Sequence, residues 1–438
     1  MQGRFFALAD RLMQGLDGGE RLSLALEGER SDFVRLSQAR VRQAGSVERS
    51  TVTLDLVAGG RRAAARCDLQ GSVGADRPRL EGLLEGLRSR LSQLAPDPYL
   101  ILPAEVCSTE QVDDRSPPPA REAVAQVMDE AAHMDLVGIW ASGAMFAGLA
   151  DSAGQRGWHA SQSFNLDWSC HLAGDKAVKA RYAGVDWDPA ELARRMAGVR
   201  ERLAVVARPA LTLEPGRYRA YLAPAALREL LGLVAWGGFG LKDHRTGSSP
   251  LMRMVAEGRR LHPGVSLVED HARGLTPRFT AEGFVKPPRV DLIQGGVYRD
   301  CLAAPRSAAE YGVGVNAGTE APESLDMAAG DLPAEEVLAA LGTGLYVSDL
   351  WYGNFSDRAD CRITAMTRYA CLWVENGEIQ GPVDVMRIDD SVYHLLGDRL
   401  EALTRERELI LDPGTYGGRS WVSHRLPGAL VDGITLTL

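Results

Sequence analysis

Glycine-bearing two-residue turns set between β-rich runs constrain this sequence more than any other feature. Asn376-Gly377 separates Cys371–Glu375 from Glu378–Val383, and Gly59-Gly60 separates Thr51–Ala58 from Arg61–Asp68. Such dipeptides accept the positive φ angles that a tight antiparallel hairpin demands, so each pair of runs is predicted to fold back on itself. The chain holds 47 glycines in 438 residues, which extends the expectation of tight turns to many short strands.

The runs before residue 208 alternate between strand and helix patterns. Phe5–Leu16 reads as an amphipathic helix. Leu22–Glu27, Asp32–Ser37 and Val41–Ser46 read as strands, with Gly28 as a break between the first two. Leucines at 80, 83, 84, 87, 91 and 94 make a helical stripe over Arg79–Leu94, ended by Pro96 and Pro98. Asp113–Pro119 is a linker, and Ala120–Ala132 a helix. Leu136–Leu149, Arg156–Ala173 and Ala177–Ala183 form a strand meander. Asp188-Pro189 caps and starts a helix that reaches about Ala207. Beyond Pro209, Arg217–Leu222 is a strand and Pro224–Trp236 a helix. Almost everything after Gly264 looks strand-like, with turns at Gly283, Gly295-Gly296, Gly353 and Gly417-Gly418. Two helices are inserted there, Pro333–Leu341 capped by Asp331, and Ser391–Leu403. The expectation is an α+β chain in two domains. Residues 1–208 carry an antiparallel sheet with helices, and 209–438 carry a large curved, mainly antiparallel sheet with few helices.

Composition narrows the function. A net charge of −9 gives no basic face for nucleic acid. Apolar stretches such as Leu136–Ala150 are too short for a bilayer, and Met1–Leu16 lacks a signal-peptide core, so no membrane partner is expected. The six cysteines are sparse and form no C-x-x-C, which suits reduced thiols in the cytoplasm. None of the eight histidines pairs with another at i, i+4, and no phosphate loop or G-x-S-x-G elbow is present. Gly237-Gly238-Phe239-Gly240 and Gly312-Val313-Gly314 read as turns. The His262, Glu269, Asp270 and His271 group reads as a solvated loop and strand end, and Lys242-Asp243-His244-Arg245 as a charged surface loop. Trp351, Tyr352, Tyr369 and Trp373 read as sheet packing, with a peptide-contacting face as the lesser alternative.

The order of several strings resembles the TldD/PmbA family. Leu345-Tyr346-Val347 precedes Gly353-Asn354-Phe355-Ser356, then Leu372–Ile379 with Glu375-Asn376-Gly377-Glu378-Ile379, then Pro382-Val383. Val265–Asp270, Phe279–Gly283, Val290–Gly296 and Ser307–Gly312 fit its earlier strand, hairpin and "SA…G" segments, and Gly45–Ala58 with the Gly59-Gly60 turn fits its N-terminal part. The resemblance is strong in Val265–Val383 and loose before about Pro209. It implies a comparison with the TldD-type subunit, whose H-E-x-x-x-H helix holds a metal and whose C-terminal cysteine completes the site. That chemistry needs two imidazoles converging from one helix face and a carboxylate beside the bound water. Here the matching helix reads Arg228-Glu229-Leu230-Leu231-Gly232-Leu233, and Tyr416 stands where the cysteine would fall. A guanidinium is always protonated and Leu233 has no donor atom. The resemblance therefore implies the TldE/PmbA-type subunit, with degenerate positions Arg228, Glu229, Leu233 and Tyr416, no catalytic residue and no cofactor.

The residues of that helix agree on its packing. Leu227, Leu230, Leu231 and Val234 form an apolar stripe that belongs in the core. Adjacent Arg228 and Glu229 occupy different faces, so no salt bridge is expected between them. The implied function is a non-metal subunit, inactive alone, that pairs with a metal-bearing TldD-type chain or with itself and helps proteolysis of unfolded or leader peptides. The alternative is a stand-alone peptide-binding or regulatory module.

Overall fold

The computed structural model describes residues 1–172 and 176–437. After helix α1 (Gln2–Met13), strands β1 (Arg21–Ser37), β2 (Arg40–Ala58) and β3 (Arg61–Asp68) form an antiparallel meander. Gly59 and Gly60, at φ 56° and 70°, close its second turn. Helix α2 (Val73–Leu91), strand β4 (Ser108–Val112) and helix α3 (Ala120–Glu130) follow. Strands β5 (Asp135–Asp151), β6 (Arg156–His171) and β7 (Ala177–Gly184) then extend the same sheet on the far side of β1. Among the described residues of this sheet only the β4–β6 pairing is parallel. Leu8 and Leu12 of α1, Leu80 and Leu84 of α2, and Leu24 and Leu54 of the sheet share one dry core. Each such leucine contributes about 1.5–3 kcal/mol by leaving water.

Helix α4 (Pro189–Val206) starts where Asp188 Oδ1 accepts the Ala190 amide at 2.9 Å and Pro189 supplies a preset φ. It packs with α3 on Trp140 and Phe164, whose rings stack 5.4 Å apart. Ala370 and Leu372 join this core from the C-terminal half, so the two halves are welded through shared apolar burial.

The second sheet begins with β8 (Gly216–Leu222), which leads into helix α5 (Pro224–Ala235). It contains 13 strands among the described residues. Its spine is Ser423–Leu436, which pairs antiparallel with β8, Arg387–Ser391 and Leu400–Leu411 and parallel with Ser324–Met327. Gly344–Val347 lies parallel on the other side of β8. The Asn376-Gly377 hairpin joins Cys371–Glu375 to Glu378–Pro382, with φ 51° and 80° at the turn. The architecture is thus α+β, with an antiparallel sheet and helices first and a large, mainly antiparallel sheet after.

Several local expectations fail for tertiary reasons. Gly28 does not break β1, because β1 is hydrogen-bonded on both edges and the glycine sits close to the Arg49 carbonyl. The strand over β2 is likewise continuous, and α2 begins before Pro78 rather than after it. The β6 expectation ran to Ala173, which lies outside the described residues. Gly353 is no turn: it lies in strand Leu350–Asp357 beside Tyr352 at φ 57°, where the pairing skips residues as a bulge. Ser391–Leu403 is no helix. One π turn, His394–Asp398, gives way to strand Leu400–Leu411, because Val392, Tyr393, Leu395, Leu396, Leu400 and Leu403 are buried on more than one side. Asp331 does not cap the Ala334–Leu341 helical segment; the Glu406 carboxylate accepts the Ala334 amide at 2.8 Å instead. Pro305–Tyr311 is helical, and Phe279–Gly283 is a loop with one bridge, from Phe279 to Val285.

Candidate functional site

Helix α5 buries Leu227, Leu230, Leu231 and Val234 against the second sheet, as its stripe requires. Its other face carries Arg228 and Glu229, about a quarter exposed. The two do bond, Arg228 Nη1 donating to Glu229 Oε1 at 2.8 Å. Both side chains are long enough to bend round the helix surface, which overrides the angular separation of neighbours.

A second guanidinium reaches Glu229 from the first sheet. Arg181 on β7, 9% exposed, lies 3.6 Å from Glu229 Oε1, 3.1 Å from Asp349 Oδ2 and 3.0 Å from Asp167 Oδ2. Lys179 adds a contact to Asp349 at 3.6 Å. Burial pulls the Arg181 pKa down, but the charges of Asp349, Asp167 and Glu229 outweigh it and hold the group above its ordinary value. Burial raises Asp349 while Arg181 and Lys179 act against that. Nothing in the sequence near α5 announces Arg181 or Asp349; the register of β7 and the turn after Gly344–Val347 deliver them.

The residues at this place do not fit a metal. Arg228 cannot shed its proton, Leu233 offers no donor, and the carboxylate of Glu229 is engaged by two guanidinia. Among the described residues no group of three or more His, Cys, Asp or Glu is arranged to hold one. Leu233 is half-buried and would lie 3.0 Å from a Cβ at position 353, so it packs where Gly353 leaves space. Tyr416 stands fully exposed in the loop after Leu411. His424 is buried, and desolvation together with the Arg228 charge lowers its pKa to about 4, so it stays neutral.

Beside α5 runs strand Leu350–Asp357, bonded only to Arg362–Thr367 among the described residues. Its aromatic groups are not all sheet packing. Trp351 is 43% exposed and Tyr352 80%, with the Arg368 guanidinium 4.5 Å from the Trp351 ring. Trp236, at the end of α5, is exposed with Arg358 over it. A cavity of about 430 Å³ opens between α4, β7 and the second sheet, lined by Arg181, Arg202, Tyr221, Tyr346, Asp349 and Glu408 among others.

Of the two charged segments read as solvated, the first is interior at Glu269 and His271, whereas Lys242 and Arg245 of the second are exposed. Glu269 and His271 are each 1% exposed and 3.4 Å apart, with Glu269 accepting the Glu323 and Ser324 amides. Desolvation raises Glu269 to about 7 and lowers His271 to about 4. Lys242–Arg245 lies in a short helix, and His244 Nε2 sits 2.8 Å from both the Gly238 carbonyl and the Tyr298 hydroxyl.

Known proteins share this fold and part of this sequence. Over 143 residues the chain is 32% identical to the metalloprotease PmbA of Escherichia coli O157:H7, a stretch covering 30% of this chain and 29% of that relative. The matched stretch is thus under a third of the relative's length. TldE from Thermococcus kodakarensis superposes with a TM-score of 0.77 at 14% identity, over 99% of this chain and 100% of that one. A Thermotoga maritima protein, named as a candidate modulator of a DNA gyrase, gives 0.77 at 17% identity over 99% and 100%. The family model of the PmbA/TldA metallopeptidase C-terminal domain matches residues 215–438, half of the chain and the whole sheet that carries α5. The chain therefore belongs to the TldD/PmbA family of metallopeptidase-like proteins.

Proposed function

We propose that this chain is a non-metal, TldE/PmbA-like subunit of a TldD/TldE-type metalloprotease complex, with Arg228, Glu229, Leu233 and Tyr416 as its degenerate site positions. The observation that carries the reading is the occupation of Glu229 by Arg181 and Arg228 on the very helix where the resemblance calls for metal ligands. An ion-paired carboxylate is a poor base for activating water. In this reading the metal and the hydrolytic step belong to a TldD-type partner chain, in the cytoplasm, and the substrate is an unfolded peptide or a leader peptide.

The exposed strand Leu350–Asp357 supports the reading. Tryptophan, tyrosine and arginine are the side chains that anchor protein interfaces, and Trp351, Tyr352, Trp236, Arg358 and Arg368 cluster around α5. The test is cleavage of an unstructured peptide by the chain alone, by a TldD-type chain alone and by the two together. Activity only with the pair, at one-to-one stoichiometry, is expected. Chelator-sensitive cleavage by this chain alone overturns the proposal, as does a TldD-type chain whose activity ignores it.

A further inference from the structure

The cavity of about 430 Å³ between α4, β7 and the second sheet is lined by hydrogen-bond donors that the chain itself leaves unused. Ser348 is 6% exposed, and its Oγ has no hydrogen-bond partner among the described residues. Tyr221 on β8 is 5% exposed, and its hydroxyl likewise bonds to nothing among the described residues. Gly428 leaves room for that hydroxyl, since a Cβ at this position would strike it. Buried polar groups are nearly always paired, so two orphaned hydroxyls on one cavity call for a reason.

The same cavity reaches the start of α5, where Ala223, Pro224 and Ala225 line it. No side chain caps this helix, Pro224 has no amide proton, and the Ala225 and Ala226 amides have no backbone acceptor among the described residues. A helix terminus left in this state favours negative charge. Arg202 of α4 adds a guanidinium to the wall. Only its Nε is engaged, by the Gly198 carbonyl at 3.0 Å, and no carboxylate lies within ion-pair reach of it among the described residues. The other cations on the wall are compensated: Lys179 and Arg181 by Asp349, and Arg194 and Arg195 by Glu191. Two acids on the wall are engaged as well, Glu408 by Arg195 at 3.7 Å and Glu406 by the Ala334 amide at 2.8 Å. What is left over is one unpaired guanidinium and a set of neutral donors. That set suits a ligand of one negative charge, whereas a doubly charged phosphate would be repelled by Glu406 and Glu408.

We propose that this cavity is a carboxylate-binding site, in which Arg202, the Tyr221 and Ser348 hydroxyls and the first turn of α5 hold the free C-terminus of a short peptide or a small organic acid. The site is complete in this chain, so it stands apart from pairing with a metal-bearing subunit, and the chain alone tests it. In titration calorimetry, N-acetyl-trialanine with a free carboxylate should bind at least roughly tenfold more tightly than its C-terminal amide, because the amide has no charge for Arg202. Butyrate is the second probe. Binding of the peptide acid alone assigns the site to a peptide end, and equal binding of butyrate assigns it to small organic acids; either supports the proposal. Arg202→Met should weaken the preferred acid roughly tenfold or more, and Tyr221→Phe and Ser348→Ala roughly threefold or more each. The urea midpoints of the two hydroxyl deletions should stay at or above the wild-type value, because each removes a group that the unliganded chain leaves unpaired. Lower midpoints with unchanged binding would assign these hydroxyls to structure and overturn the proposal. Equal binding of peptide acid and amide, tighter binding of inorganic phosphate, or no binding of either acid at millimolar concentration also overturns it.

Discussion

Replacing Arg181 with methionine removes the charge that ties β7 to Glu229 of α5 and, together with Lys179, to Asp349. The methionine keeps most of the apolar stem, so the loss is electrostatic. It strands Asp349, whose side chain is 3% exposed, with only Lys179 at 3.6 Å, and it strips one guanidinium from Asp167 and Glu229. Breaking a buried pair by deleting one partner costs about 3–5 kcal/mol, because the surviving charge stays desolvated. Lys179 offsets part of this, so the lower end, about 3 kcal/mol, is expected at neutral pH. The pH dependence follows from Asp349. Its folded pKa lies above the ordinary value, and losing Arg181 raises it further, so the cost of the buried carboxylate is full above that pKa and relieved as pH falls through it. The shift in urea midpoint between wild type and Arg181→Met should therefore be large at neutral pH and shrink toward pH 4. A double-mutant cycle with Asp349→Asn should give a coupling of the same sign. A loss below about 1 kcal/mol, the value of an exposed pair, or a loss constant across the pH range refutes the reasoning.

Restoring histidine at both Arg228 and Leu233 should still leave the chain without stoichiometric zinc after dialysis, because Arg181 continues to hold Glu229; elemental analysis finding about one metal per chain contradicts this. Glu269→Gln should gain stability over wild type as pH rises from about 4.5 to about 7 and level off above, by about 3 kcal/mol at most, since only the ionised wild-type carboxylate suffers from burial. A pH-independent difference in unfolding midpoint argues against it. Trp351→Ser with Tyr352→Ser should change the chain's own stability by less than about 1 kcal/mol while weakening its binding to a TldD-type chain. Unchanged affinity in titration calorimetry removes that surface from the proposed interface.

The order and the turns of this fold were legible because their causes are local. Gly59-Gly60 and Asn376-Gly377 fold back wherever they occur between β-rich runs, Asp188-Pro189 starts a helix by its own hydrogen bond and fixed φ, and the leucine stripe of α5 follows from 3.6-residue periodicity. That Arg228 keeps its proton and Leu233 has no donor atom was legible for the same reason, as these are identities, not arrangements. Tertiary structure decided everything that depends on which distant strands meet. It made one continuous β1 from two runs because both edges are paired, and it turned Ser391–Leu403 into a π turn and a strand because apolar side chains there are buried on several sides. It also put Arg181 beside Glu229 and sealed Glu269 with His271 away from water. A charged side chain reads the same in a sequence whether its partner is solvent or a carboxylate from another sheet. Only the packing of the two sheets sets that environment, and with it the protonation and function of the group.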